Sequence, residues 1–222
     1  MKIILPEIDH VFEVKEEYVN EIVIENQRLM RTVITDLFDQ INGFEGRAVL
    51  SDSDKPIRIA KSMEVLDRFV PFSINKKPLI NKIASELEKK AVNPELYPDT
   101  LEILSRIEKY LLDISQEMIG DLLFDNVNIA SLIKASGVSL CEEYDSLGEK
   151  IIDYFELVTE YDNSKVFILV NIRSYLDDEE MEAFVYTVCR QGYMVVLIES
   201  VEHTVIKGIK RYIIDKDLCE IG

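Results

Sequence analysis

Two runs in the second half of the chain limit the fold most: VFILVN at residues 166–171 and YMVVLIES at residues 193–200. A strand with one solvated face alternates apolar and polar residues, whereas a continuous apolar run belongs to a strand covered on both faces, as in a parallel sheet flanked by helices. Between the two, SYLDDEEMEAFVYTVC reads as a helix whose Met181, Phe184, Val185 and Val188 pack on that sheet. Asp177 and Glu180 have the spacing of a capping box, so the acidic DDEE run is expected to be a helix start favoured by the helix dipole rather than a metal site. YIIDKDLCEI then reads as a closing hairpin or edge pair.

The N-terminal end has the same character. Short β-rich runs over residues 3–5, 11–14 and 22–24 precede a helix in which Leu29, Met30, Val33, Ile34, Leu37, Phe38 and Ile41 recur at helical spacing. Asn42 and Gly43 end it, since both tolerate the left-handed conformation of a helix stop. The strand-to-helix corner at residues 24–28 is where many α/β proteins cradle a phosphate. That chemistry needs glycines for close backbone approach, a lysine and a hydroxyl. This corner offers Glu25, Asn26 and Gln27 and no glycine, and a carboxylate there would repel phosphate. Nucleophilic catalysis has no better support: His10 and His203 lie beside no nucleophile motif and read as polar or packing residues.

From about Lys61 to Tyr154 the strand signals fade, and Pro71, Pro78, Pro94 and Pro98 divide a helical region. Its longest piece, TLEILSRIEKYLLDISQEMIGDLLF, carries Leu104, Ile107, Leu111, Ile114, Met118 and Leu122 as one apolar stripe. At ~1.5 Å per residue it would extend about 38 Å, a projecting arm. A helix around residues 150–159 leads back to the strands. The simplest architecture is a discontinuous α/β head, residues 1–60 with 155–222, from which an α-helical leg, residues 61–154, is inserted.

The formal charge of −17 argues against a nucleic-acid partner, because phosphate binding draws on basic surface. Its distribution reopens the question: Lys55 to Lys90 is a locally basic stretch, either a solvated helical face or an anion-binding surface. On the long helix, Asp113, Glu117, Asp121 and Asp125 follow at i,i+4 steps, a repulsive row worth ~0.2–0.5 kcal/mol per pair. With Asn126 and Asn128 after it, the row is either a solvated face or a set of hard oxygen donors suited to calcium, although no EF-hand loop is present. The three cysteines, Cys141, Cys189 and Cys219, form no CxxC pair and are expected to be buried reduced thiols. The first residues lack the apolar region of a signal peptide and no run approaches a membrane span, so the chain is expected in the cytoplasm.

The succession VFILVN, YLDDEEMEAF, VVLIES and YIIDKDLCEIG, with the IVIEN corner and LIKASGV at residues 132–138, resembles the spacer-acquisition protein of type II-A CRISPR systems. That resemblance implies a phosphate-loop-ATPase-like head without nucleotide binding and a ring-shaped homotetramer with helical legs. It further implies double-stranded DNA held in the hole without sequence preference, Ca2+ ordering heads against legs, and a non-catalytic role. The RNA-guided nuclease and other adaptation proteins are the implied partners. Candidate DNA contacts are Arg58, Lys61, Lys76, Lys77, Lys82 and Lys134; candidate calcium ligands are Glu117, Asp121, Asp125, Asn126 and Asn128. A ring can gather cations on its inner wall while acidic residues face outward, which reconciles the net charge with DNA. The rival readings are a metal-dependent nuclease built on the carboxylate row and an oligomeric interaction scaffold that never touches DNA.

Overall fold

The computed structural model describes residues 1–120, 122–162 and 165–221. The chain folds into two compact units, Met1–Ile74 with Glu142–Gly222, and Asn75–Cys141. In chain order the first unit supplies β1 (Lys2–Ile4), β2 (Val11–Glu13), β3 (Val19–Ile24), α1 (Gln27–Ile41), β4 (Val49–Asp52), β5 (Lys55–Ile57) and β6 (Met63–Leu66). The second unit holds α2 (Lys77–Ala91), α3 (Tyr97–Ser115) and α4 (Ile129–Ala135). The chain then returns to the first with α5 (Leu147–Asp162), β7 (Val166–Val170), α6 (Asp178–Gln191), β8 (Met194–Glu199), β9 (Ile209–Ile214) and β10 (Glu220–Ile221).

The first unit is a mixed α/β structure built on a six-stranded sheet, order β10-β9-β3-β8-β7-β6. All of its pairings are parallel except β10 on β9. Every residue of β3 and β7 is buried, the covered-on-both-faces state; the unbroken apolar sequence of β7 requires it, whereas β3 also buries Asn20 and Glu21. Alternation along the strands assigns the faces. Ile22, Ile24, Ile168, Val196 and Ile198 join Leu29, Val33 and Leu37 of α1 in one cluster. That cluster also takes in Ile3, Phe12 and Leu50 from a smaller antiparallel sheet, order β2-β1-β4-β5. On the opposite face Phe167 stacks on Phe155 of α5 at 3.9 Å, and Phe155 meets Phe184 of α6 edge-on.

The helix signals act as their chemistry suggests. Asp177 accepts from the Glu180 backbone at 2.9 Å and Glu180 accepts from the Asp177 backbone at 3.0 Å, closing the capping box that starts α6. Gly43, at φ 88°, supplies the left-handed turn after α1.

Several expectations need correction. The units divide at 74/75 and 141/142, not at 60/61 and 154/155, because β6 is the edge strand of the parallel sheet and α5 packs on that sheet through Phe155. The helix expected to run on to residue 124 stops at Ser115; Gly120 beyond it takes φ 110°, which no helix accommodates. At nineteen residues α3 is about 28 Å long. The cysteines are not all buried: Cys141 and Cys219 are exposed, and Cys189 is half-buried.

Candidate functional site

Three places carry the chemistry that the sequence singles out. The first is the corner between β3 and α1. Asn26 is the N-cap of α1: its Oδ1 accepts the backbone N–H of Arg28 at 3.1 Å and of Leu29 at 3.0 Å. Its Nδ2 donates to the Lys216 carbonyl at 2.9 Å, which ties the corner to the turn between β9 and β10. The amides that a phosphate loop would offer to its ligand are thus consumed by the protein's own side chain. Beside the corner, at the carboxyl ends of β3 and β8, lies a crevice of about 630 Å³ lined by Glu25, Met30, Arg31, Ser200 and Lys216, among others. Such crevices hold ligands in open α/β sheets. Here the Arg28 and Leu29 amides are taken by Asn26 and the Glu25 carboxylate lines the space.

The second place is basic. In the second unit, Lys76 is the N-cap of α2, Lys77 and Lys82 lie within α2, and Lys134 is in the last turn of α4. α2 packs against α4, so these four lysines belong to one helical pair. Lys77 and Lys134 are exposed, and Lys76 and Lys82 are half-buried. Arg58 and Lys61 are exposed in the first unit, flanking and ending the short 3-10 turn Ile59–Lys61. The structure therefore brings four of the six candidates into one element pair and places the other two in the other unit.

The third place is the carboxylate row. With α3 ending at Ser115, Asp113 is on the helix while Glu117 and Asp125 are exposed on the stretch that follows, so the i,i+4 row is not formed. Asp121 lies outside the described residues. Asn128 is engaged elsewhere, as the N-cap of α4, its Oδ1 accepting from the Ser131 backbone at 2.9 Å. Glu117, Asp125 and Asn126 remain as exposed oxygen donors whose chemistry suits a hard cation. Among the described residues no three His, Cys, Asp or Glu side chains gather as a metal site.

A fourth cluster escaped the sequence reading. Glu21, in the middle of β3, is 0% exposed and accepts from Arg173 Nη1 at 2.8 Å and from Arg211 Nε. Arg173 also donates to Asp178 at the start of α6, at 3.2 Å. Glu199, ending β8, is 0% exposed beside it, and His203 Nε2 lies 3.6 Å from its Oε2. Burial first, then the neighbouring Glu21 carboxylate, push the Glu199 acid up to about 8, against the pull of Arg173 and the backbone N–H groups. His203 is pushed below its ordinary value by burial and by the two arginines. The available signal was a carboxylate inside two covered strands, Glu21 in β3 and Glu199 at the end of β8, since a carboxylate buried there must find partners. His10, by contrast, packs as expected, stacking on Tyr212 at 4.5 Å.

Among the described residues no helix is long and apolar enough to cross a membrane. A family model described as CRISPR-associated protein (Cas_Csn2) matches residues 40–218. A relative from Streptococcus agalactiae named CRISPR-associated protein Csn2 is 26% identical over 196 residues, covering 83% of this chain and 82% of its own length. Two solved structures align loosely. One is described as an ABC transporter ATP-binding protein from Pyrococcus furiosus, with TM-score 0.39, 11% identity, and 95% and 97% coverage of this chain and its own. The other is cbiO1 from Clostridium perfringens, part of the cbiONQ ABC transporter complex, with TM-score 0.39, 18% identity, and 87% and 70% coverage.

Proposed function

The chain belongs to the Cas_Csn2 family of type II-A CRISPR adaptation proteins, and from that premise we propose that it is a non-catalytic, sequence-independent binder of double-stranded DNA in spacer acquisition. In this reading four copies form a ring in the cytoplasm, the duplex runs through the hole, and the RNA-guided nuclease and other adaptation proteins are its partners. The first unit is an ATPase-like head reused as scaffold; the second is the leg. The observation that carries the DNA part is the packing of α2 on α4, which collects Lys76, Lys77, Lys82 and Lys134 in a chain that is otherwise strongly acidic. Lysine contacts to phosphate position a duplex without reading its sequence. Arg58 and Lys61 are further candidates from the first unit. The capped corner at Asn26 supports a head that works without nucleotide.

Calcium, held by Glu117, Asp125 and Asn126 together with Asp121, would neutralise carboxylates on the stretch that follows α3. Metal titration followed by circular dichroism and thermal unfolding tests that part without any DNA readout. For the DNA part, fluorescence anisotropy with two unrelated linear duplexes, each with calcium and with chelator, is the test. Equal affinity for both sequences, weakened by chelator, is expected. Absence of binding in calcium would leave the interaction-scaffold reading, and cleavage of the duplex in calcium, magnesium or manganese would leave the nuclease.

A further inference from the structure

The first unit buries two carboxylates on one face of its parallel sheet, and only one is fully paired. Glu21 is held by Arg173 and Arg211. Glu199 Oε1 accepts the Arg173 backbone N–H at 3.3 Å, but its Oε2 and the facing His203 Nε2 are both buried without a hydrogen-bond partner, 3.6 Å apart. Buried polar atoms are almost always satisfied, so two orphans facing each other demand a shared occupant. A bridging water needs its partners about 4.5 Å apart at ordinary hydrogen-bond lengths, more than this gap allows. A metal ion would find two donors and two adjacent guanidinium groups. A single proton fits, and a slight closure of the gap completes the bond.

The geometry points to a proton latch: at neutral pH the Glu199 carboxyl is protonated, donates from Oε2 to His203 Nε2, and so fastens the connection between β8 and β9. Burial of both groups favours this neutral placement of the proton, while the nearby charges pull both ways. Glu21 on β3 disfavours a second carboxylate charge but favours an imidazolium, as does Asp178; Arg173 after β7 disfavours an imidazolium, as does Arg211 on β9, but favours a carboxylate. Asp178 of α6 and Glu202 are engaged with those arginines, at 3.2 and 2.9 Å. The same connection is tied at a second point, where the Thr204 carbonyl accepts from Arg173 Nη1 at 2.8 Å and Arg211 Nη2 at 3.2 Å. Ser200 and Val201, in the same connection, line the crevice beside the capped corner, so the latch sets one wall of that crevice.

The sign of the pH effect follows from linkage. On opening, the raised carboxyl releases its proton to solvent while His203, held neutral in the closed state, regains its ordinary basicity. Below the ordinary imidazole range (~6.5) the two protons offset each other, so closure weakens as pH rises from there through about 8 and levels off above. Hydrogen exchange on the full-length protein, corrected for intrinsic rates, is the test. Protection of the amides in residues 200–208 should fall about fivefold per pH unit between pH ~6.5 and ~7.5 and be nearly flat below. In Glu199→Gln, whose amide N–H donates at every pH, that slope should vanish; an unchanged slope overturns the latch. ¹⁵N NMR of the wild type gives an answer even if the variant does not fold. An unprotonated, hydrogen-bond-accepting His203 Nε2 at pH 7 is expected, and a protonated Nε2 overturns the assignment.

Discussion

Replacing Arg173 with methionine removes one of two guanidinium groups from a carboxylate that has no access to water. Glu21 is 0% exposed and Arg173 2% exposed, so neither charge can be rescued by solvent. Breaking a buried pair by deleting one partner costs about 3–5 kcal/mol, because the survivor stays desolvated. Arg211 still reaches Glu21, and its Nη2 still donates to the Thr204 carbonyl at 3.2 Å, so the loss belongs at the low end, about 3 kcal/mol. At a urea m-value of roughly 3 kcal/mol/M this lowers the midpoint by about 1 M. Glu21→Leu alone leaves Arg173 buried with only the Thr204 carbonyl and Asp178, and should cost a similar amount. The double variant should recover most of either loss, since well-packed apolar replacements of a buried ion pair are often near neutral. A single-variant loss below about 1 kcal/mol, or a double variant equal to the sum of the singles, would refute the reasoning that the pair is obligatory only while one member remains.

Asn26→Ala strips two backbone donors of their acceptor and should lower stability by about 1 kcal/mol in chemical denaturation; neither it nor the wild type should show a thermal shift with magnesium and ATP. The thiols should label in two classes with a small alkylating reagent at neutral pH: Cys141 and Cys219 quickly, and Cys189 slowly, because burial and then the Glu17 carboxylate push its thiol up and keep it protonated. Equal labelling rates at all three positions would contradict that environment.

What could be read from the sequence was whatever a short window of residues determines. β7 and β8 were visible because strands covered on both faces must be apolar throughout, and α6 because Asp177 and Glu180 carry their own cap. β6 was missed because four residues, MEVL, show no period, and only pairing with β7 makes them a strand. The β4–β5 hairpin was missed for a related reason: its strands are short, with Leu50 alone fully buried, and its turn relies on Ser53 and Asp54 in the left-handed region rather than on glycine. The overlong α3 shows the opposite error. The apolar period continues past Ser115 through Met118 and Leu122, yet both side chains are exposed, so periodicity there had no packing within this chain to enforce a helix. The Glu21–Arg173 pair joins residues 152 positions apart, a distance that no local pattern encodes.

The claim on which the functional account rests is that the lysines of the Asn75–Cys141 unit hold duplex phosphates. The direct measurement is the salt dependence of affinity for a linear duplex, compared between the wild type and a variant with Lys76, Lys77, Lys82 and Lys134 changed to glutamine, folding being checked by circular dichroism. Each lost phosphate contact should reduce the log–log slope by about 0.9, so the variant's slope should be shallower by up to roughly 3–4 per engaged chain, equally for unrelated sequences. A slope and affinity unchanged by the four substitutions would contradict the account.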